Sequence, residues 1–329
     1  MRAMVLDTPR RPLALRDVPR PAAASGEVVI AVEACAVCRT DLHLVQGELE
    51  DIPQPLIPGH QIVGTVVESR SGRLAEGTRV GVSWLGFACG ACGYCRSRRE
   101  NLCDAARFTG YTLPGGYAEL VAADARFCLP LRTDAPAVKL APLLCAGAIG
   151  YRALGCCGDA GQIGLFGFGA AAYLLAQALR RTGREFAAFT RPGDRPAQDA
   201  ARSLGASWAG GSDEARPGSL DAAILFAPVG DLVPAALAAV RKGGSVVCAG
   251  IHMSDIPRFP YSLLWGERQV RSVANLTRAD AEAFLELAVA EPFHVQTRSY
   301  PLEAANEALD DLAHGRFVGS AVLEVIAGR

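Results

Sequence analysis

Between Cys35 and Gly64 the chain reads C-A-V-C-R-T-D-L-H, a linker, and then P-G-H-Q-I-V-G. Cys38, Thr40, Asp41, His43 and His60 therefore fall within one short stretch. A thiolate and an imidazole both suit Zn²⁺, and an open catalytic zinc site takes three protein ligands. The candidate third ligand is Cys145, in P-L-L-C-A-G. The chain carries 11 cysteines, so this grouping depends on a fold that brings three distant segments together.

A second cluster is local. Cys89, Cys92, Cys95 and Cys103 read C-G-A-C-G-Y-C-R-S-R-R-E-N-L-C. Four thiolates at this spacing can wrap one tetrahedral ion and leave no position open, which is the pattern of a structural Zn²⁺ site. An iron–sulfur cluster is the alternative with the same ligands. Cys35, Cys128, Cys156, Cys157 and Cys248 fit no ligand pattern and read as small buried hydrophobes.

The third feature is Gly167-Phe168-Gly169-Ala170-Ala171-Ala172, which ends one apolar run and opens another. Glycines there permit a tight turn and close approach to a pyrophosphate, and a helix N-terminus attracts the anion. The motif has meaning only with a strand before it and a helix after it. The following strand should end in a carboxylate if the ribose 2′-hydroxyl of NAD is to be bound. Instead the chain reads Phe189-Thr190-Arg191, with Arg195 nearby. Arg191 can face a 2′-phosphate, which favours NADP over NAD.

These residues need elements to hold them. A chain of 329 residues suggests about two domains. Half of its residues are hydrophobic, enough for real cores, and a net charge of −1 without a basic stripe argues against nucleic acid. The N-terminal stretch lacks the apolar region of a signal peptide, and no run reaches the ~18 apolar residues of a membrane span. The expectation is a soluble cytoplasmic protein, and cysteines in that setting favour metal ligation over disulfides.

Residues 1–135 read as all-β, with short runs at Glu27–Val32, Ile62–Ser69 and Arg79–Ser83 between turn residues, as in a barrel or sandwich. From Leu140 strands alternate with Ala/Leu-rich helices. The expected strands are Gln162–Gly167, Phe186–Thr190, Leu220–Ala227 and Ser245–Ala249, and the helices Ala170–Arg181, Pro196–Leu204 and Leu232–Arg241. That alternation predicts a doubly wound parallel sheet. Helices at Ala279–Ala290 and Leu302–Leu312 and a strand at Ser320–Ile326 close the chain, and the patch Gly210–Gly218 reads as a surface loop.

Taken together, C-x-x-T-D-x-H, the G-H near residue 60, the four-cysteine stretch, the later C-A-G and the glycine loop resemble the zinc-containing medium-chain dehydrogenase/reductase family, the alcohol dehydrogenases. The resemblance covers essentially the whole chain. It implies an α/β fold in which a GroES-like β-barrel catalytic domain, residues 1–145 and 276–329, carries an inserted Rossmann cofactor domain, residues 146–275, with the active site in the cleft between them. It also implies that Cys38, His60 and Cys145 hold a catalytic zinc. Thr40 would touch the substrate oxygen, and His43 would end a proton relay. Asp41 would orient His60 through its second ring nitrogen. Arg39 would face the cofactor pyrophosphate together with the backbone of Gly167, Phe168, Gly169, Ala170 and Ala171. Trp84 would wall the substrate pocket, or alternatively fill the core beneath the four-cysteine lobe. The segment Tyr261–Leu276 would pair between subunits, giving a homodimer or homotetramer.

The chain departs from the family pattern in two places. The residue after His60 is Gln61 where the family often has glutamate, and an amide cannot swing in as an anionic ligand. Near the C-terminus Gly319-Ser320 stands where some members place an arginine on the cofactor. The expected function is hydride transfer between NADP(H), or NAD(H), and an alcohol, aldehyde or ketone, with two Zn²⁺ per chain. Reduction of an activated C=C or C=N bond on the same fold is one rival. A non-catalytic zinc- and nucleotide-binding protein is the other, against which the candidate relay of Thr40 and His43 argues.

Overall fold

A computed structural model describes residues 1–325. The chain forms two compact units, one from Met1–Cys145 with the chain from Thr277 onward, the other Ala146–Leu276.

The first unit is built on Glu27–Ala36, whose run of Val, Ile and Ala is buried almost throughout. β-Branched residues favour this extended, packed state. The strand pairs antiparallel with Ile62–Ser69 on one side and with Leu120–Asp124 on the other, and its last residues pair with Ser320–Glu324. Arg79–Val82 and Cys128–Pro130 continue the sheet beyond Ile62–Ser69, and Thr297–Pro301 adds a parallel edge beside Ser320–Glu324. Two register shifts interrupt the pairing with Ile62–Ser69, at Val29/Ile30 and Val32/Ala34. Such bulges bend a strand and raise its twist. Ile30, Val32, Ile62, Val80 and Tyr117 fill the core behind the sheet.

The second unit has six parallel strands. Their spatial order is Trp208–Gly211, Glu185–Thr190, Gln162–Phe166, Leu220–Leu225, Val240–Cys248 and Gln269–Ser272. Numbered within the unit this is 3-2-1-4-5-6, the doubly wound order whose switch point lies between the first and fourth strands. The helix Ala170–Arg181 follows the first strand over the residues expected. Its apolar residues Leu174, Leu175, Ala178 and Leu179 are buried.

Several expectations shift. The helix at Leu232 stops at Ala239, because the strand Val240–Cys248 begins immediately. The helix expected at Leu302 opens with a 3-10 turn, Leu302–Ala304, before Ala305–Ala313. The final strand runs Ser320–Glu324, and Ile326 lies outside the described residues. Gly210 and Gly211 are not surface loop: they are the buried end of the strand Trp208–Gly211, Gly210 fitting under Trp208 and Gly211 against Asp213. Of the five cysteines expected to be buried, Cys35, Cys128, Cys157 and Cys248 are, whereas Cys156 is half-buried. Among the described residues one helical stretch, 137–155, is long and apolar enough to cross a membrane, which the sequence reading did not anticipate. Of its most apolar window 61% is buried inside the protein, and a 3-10 segment, Ala141–Leu144, interrupts it just before Cys145.

Candidate metal centres and cofactor loop

Cys38, His60 and Cys145 all belong to the first unit, and three different elements deliver them. Cys38 is the N-cap of the short helix Arg39–Val45, directly after the central strand. Asp41, in the first turn of that helix, accepts the Cys38 backbone N–H through Oδ2 at 2.8 Å, which fixes the cap. His60 sits between Gly59 and the strand Ile62–Ser69. Gly59 has φ of +97°, a conformation that favours glycine. Cys145 ends the 3-10 segment Ala141–Leu144, whose Leu144 packs onto Gly81 of the strand Arg79–Val82. A Cβ on Gly81 would lie 2.6 Å from Leu144, so the missing side chain is what lets this segment seat.

The three donor atoms lie within 4.8 Å of one another. His60 and Asp41 are 1% and 0% exposed, and Nδ1 of His60 stands 3.3 Å from Oδ1 of Asp41 without closing a well-directed hydrogen bond. Among the described residues neither ring nitrogen of His60 has a hydrogen-bond partner. Burial of an unpaired polar atom is costly, so Nε2 needs an occupant that the protein itself does not provide. The electrostatics ask for a cation. The Cys145 thiol and then His60 hold the Cys38 sulfur well below the usual thiol range, against its burial. The same contact with Cys38, followed by burial, pushes Cys145 well up. Burial disfavours a charged His60, yet Asp41 and Cys38 overcome it and push the ring up to about 10. A Cys–His–Cys donor set around a buried nitrogen fits zinc.

Around this pocket Thr40 is buried, its hydroxyl 3.7 Å from the Cys38 sulfur. His43 lies one turn further along the same helix, and its Nδ1 meets Glu48 at 2.5 Å. The rings of Trp84 and His60 meet nearly at right angles, with centroids 4.9 Å apart. Trp84 also stacks with Phe108 at 5.3 Å and Tyr111 at 5.7 Å. Gln61 is buried and donates to the Ala36 carbonyl at 3.3 Å, away from any ligand role. Arg39 is exposed at the start of the helix. Glu48, Phe108 and Tyr111 escaped the sequence reading. The acid five residues after His43 was the only signal available.

The four cysteines also converge, with all donors within 4.8 Å. The Cys89 and Cys95 sulfurs are 3.9 Å apart, close to the ~3.8 Å edge of a tetrahedron with Zn–S bonds of about 2.3 Å. Backbone N–H groups of Ala91 and Cys92 donate to the Cys89 sulfur and hold it down at about 6. Burial pushes Cys95 up to about 12. The lobe contains only a four-residue helix, Gly93–Arg96, and a 3-10 turn, Glu100–Leu102. It is anchored by Glu100, whose carboxylate accepts from the backbone and guanidinium of Arg278 at 3.1 and 3.2 Å.

In the second unit the glycine loop stands at the end of the first strand, beside the switch point. Gly167 has φ of +90°, and a Cβ there would lie 2.8 Å from the Ala227 nitrogen. Gly169 caps the helix Ala170–Arg181, so the loop runs directly into a helix N-terminus, an environment that favours an anion. Phe168 stacks against Phe186 at 6.3 Å. Thr190 is buried, and its hydroxyl is occupied inside the protein. It sits 3.0 Å from the Arg191 carbonyl and 3.2 Å from the Gly210 carbonyl, and accepts from Gln198 at 3.0 Å. Arg191 is exposed at the strand's end.

Residues 24–133 match the model of the alcohol dehydrogenase GroES-like domain. A probable alcohol dehydrogenase, AdhA, of Mycobacterium tuberculosis (strain CDC 1551 / Oshkosh) is 47% identical over 316 residues, covering 93% of this chain and 90% of that protein. An alcohol dehydrogenase of Geobacillus stearothermophilus is 32% identical over 339 residues, covering 99% of this chain and all of the relative. The acetophenone reductase of Geotrichum candidum NBRC 4597, solved with NAD, superposes with a TM-score of 0.88 at 25% identity, over 98% of this chain and 96% of that one.

Proposed function

The chain belongs to the zinc-type alcohol dehydrogenases, oxidoreductases that act with a nicotinamide cofactor on a small alcohol or carbonyl compound, and on that premise we propose how its residues divide the work. Cys38, His60 and Cys145 hold the catalytic zinc. The observation that carries this is the buried, unpartnered Nε2 of His60 between two converging thiols. A zinc ion held there would supply Lewis-acid polarisation of the substrate oxygen, and a bound nicotinamide would supply the hydride chemistry. Everything else falls to the chain. Asp41 orients the His60 ring from its far side. The Thr40 hydroxyl, next to the Cys38 sulfur, passes a proton to or from the substrate oxygen. His43 exchanges that proton with solvent, and Glu48 holds the Nδ1 side of its ring. A side-chain relay of this kind contributes about 10²–10⁴-fold in rate. It serves an oxygen that gains or loses a proton, which favours a carbonyl or alcohol over a C=C bond. Trp84, with Phe108 and Tyr111, walls the substrate side of His60.

The four-cysteine lobe holds a second, structural zinc, giving two per chain. Arg39 and the backbone of Gly167, Phe168, Gly169, Ala170 and Ala171 bind the pyrophosphate, and Arg191 takes a 2′-phosphate, so NADP(H) is preferred to NAD(H). Thr190 supports that end of the strand from within. The domains divide the labour as the two compact units do, the first for catalysis and the second for the cofactor. The chain works in the cytoplasm as a homodimer or homotetramer. The strand Gln269–Ser272 is an exposed sheet edge beside Tyr261 and Trp265, each 67% exposed, and such an edge invites pairing. A screen of alcohols, aldehydes and ketones followed by nicotinamide absorbance, run with both cofactors, tests the reading. No turnover of any by the zinc-loaded protein would contradict it. A monomer by light scattering at micromolar concentration would contradict the assembly.

A further inference from the structure

The sequence placed no role on G-G-Y-A at residues 115–118, yet this segment lies directly under the His60 backbone. Gly115 N–H donates to the Ile57 carbonyl at 2.7 Å, Tyr117 N–H to Pro58 at 3.0 Å, and Gly116 N–H to Gly59 at 2.9 Å. Three consecutive donors thus hold the three residues that lead into His60. The contact is close enough to dictate glycine on both sides. A Cβ on Gly115 would lie 2.2 Å from the Gly59 oxygen, and one on Gly59 would lie 2.3 Å from the Tyr117 ring.

Tyr117 is fully buried. Its hydroxyl and Oδ1 of Asp41 are both without a well-formed hydrogen bond among the described residues. Both residues lie against the segment that carries His60: Oδ1 of Asp41 is 3.3 Å from Nδ1 of His60, and the Tyr117 ring fills the space where a side chain on Gly59 would be. A phenol has one proton to donate and a carboxylate only accepts. Oδ2 of Asp41 is taken by the Cys38 N–H, which leaves Oδ1, on the His60 side, as the oxygen still able to accept.

We propose that Tyr117 is a positioning residue for the zinc site, clamping the backbone that carries His60 and donating its hydroxyl to Asp41 so that Asp41 stays aimed at the His60 ring. This rests on the proposed assignment of Cys38, His60 and Cys145 as metal ligands. Outer-shell partners of a metal-bound histidine set its tautomer and orientation, and losing one typically costs about 10–100-fold in metal affinity. Tyr117 acts one step further out, so the lower end of that range applies.

Tyr117→Phe keeps the ring against Gly59 and removes only the hydroxyl. Zinc-loaded protein is challenged with 4-(2-pyridylazo)resorcinol, and release is followed by its colour. Cys38→Ser identifies the phase belonging to the His60 site, and Cys92→Ser the phase of the four-cysteine lobe. The expectation is about tenfold faster release from the His60 site alone, and no further acceleration when Tyr117→Phe is added to Asp41→Asn. Unchanged release, equal acceleration of both phases, or full additivity with Asp41→Asn would overturn the proposal. A wild-type protein with no phase lost in Cys38→Ser would instead overturn the ligand assignment beneath it. Should Tyr117→Phe fail to fold, a crystal structure of the zinc-loaded wild type decides. The Tyr117 hydroxyl on an Asp41 oxygen supports the clamp, and a hydroxyl turned elsewhere refutes it.

Discussion

The two cysteine-bearing centres of the first unit are built in opposite ways. The four-cysteine lobe is local: all donors come from residues 89–103, on a short helix and a 3-10 turn. Its own backbone offers little regular structure, so a bound ion would be a large part of what keeps its shape. The His60 centre is assembled from three distant segments, each fixed by something other than the ion: a helix cap at Cys38, a glycine-specific turn at Gly59, and a leucine seated on Gly81 at Cys145. Its pocket is preformed and buried. The lesson is a division of labour. Where the fold supplies the geometry, the ligands can be few and one position can stay open for chemistry. Where the ion supplies the geometry, the ligands are four and the site is closed.

That contrast breaks most sharply on the ligands themselves. Cys38→Ser should lower kcat/KM by about three orders of magnitude or more, since lost polarisation is worth several kcal/mol. Its thermal unfolding should stay near wild type, because the pocket is held by the barrel. Steady-state kinetics with a melting curve checks both halves. Cys92→Ser should do the reverse, lowering the melting temperature and solubility through several kcal/mol of lost metal-coupled folding. A Cys92→Ser protein as stable as wild type would remove the distinction.

Smaller effects sharpen the comparison within the His60 centre. His43→Gln should reduce turnover by about 10²-fold and alter its pH profile, with zinc content unchanged. Normal turnover with the same profile would make His43 a bystander. The cofactor end gives the smallest change. Arg191→Ala should weaken discrimination for NADPH over NADH about tenfold, the loss of one charge-assisted hydrogen bond of roughly 1.5–3 kcal/mol. The ratio of kcat/KM for the two cofactors measures it. Thr190→Asp is a poor test of the same point, because it would bury a carboxylate against the Gly210 and Arg191 carbonyl oxygens.

What could be read from the sequence follows the same local-versus-assembled line. The four-cysteine spacing and the strand–glycine–helix run at Gln162–Arg181 are written in consecutive residues, so pattern alone reveals them. The residues that finish the His60 centre are not. Phe108, Tyr111 and Tyr117 reach it only through chain crossings, and Glu48, though five residues from His43, carries no signature alone. Gly210 and Gly211 misled for a related reason: glycine usually marks a loop, but here Trp208 lies where a Gly210 side chain would be and Asp213 where a Gly211 side chain would be. The commitment of the Thr190 hydroxyl to neighbouring backbone and Gln198 has no signature in the sequence either.

The central claim is that one chain carries a preformed open site and a metal-shaped closed one. Elemental analysis of the purified wild type beside Cys38→Ser and Cys92→Ser tests it most directly. The account predicts two zinc ions per chain in the wild type and one in Cys38→Ser, with the loss in Cys92→Ser accompanied by unfolding of the lobe. A single zinc in the wild type, or iron in place of zinc, would contradict it.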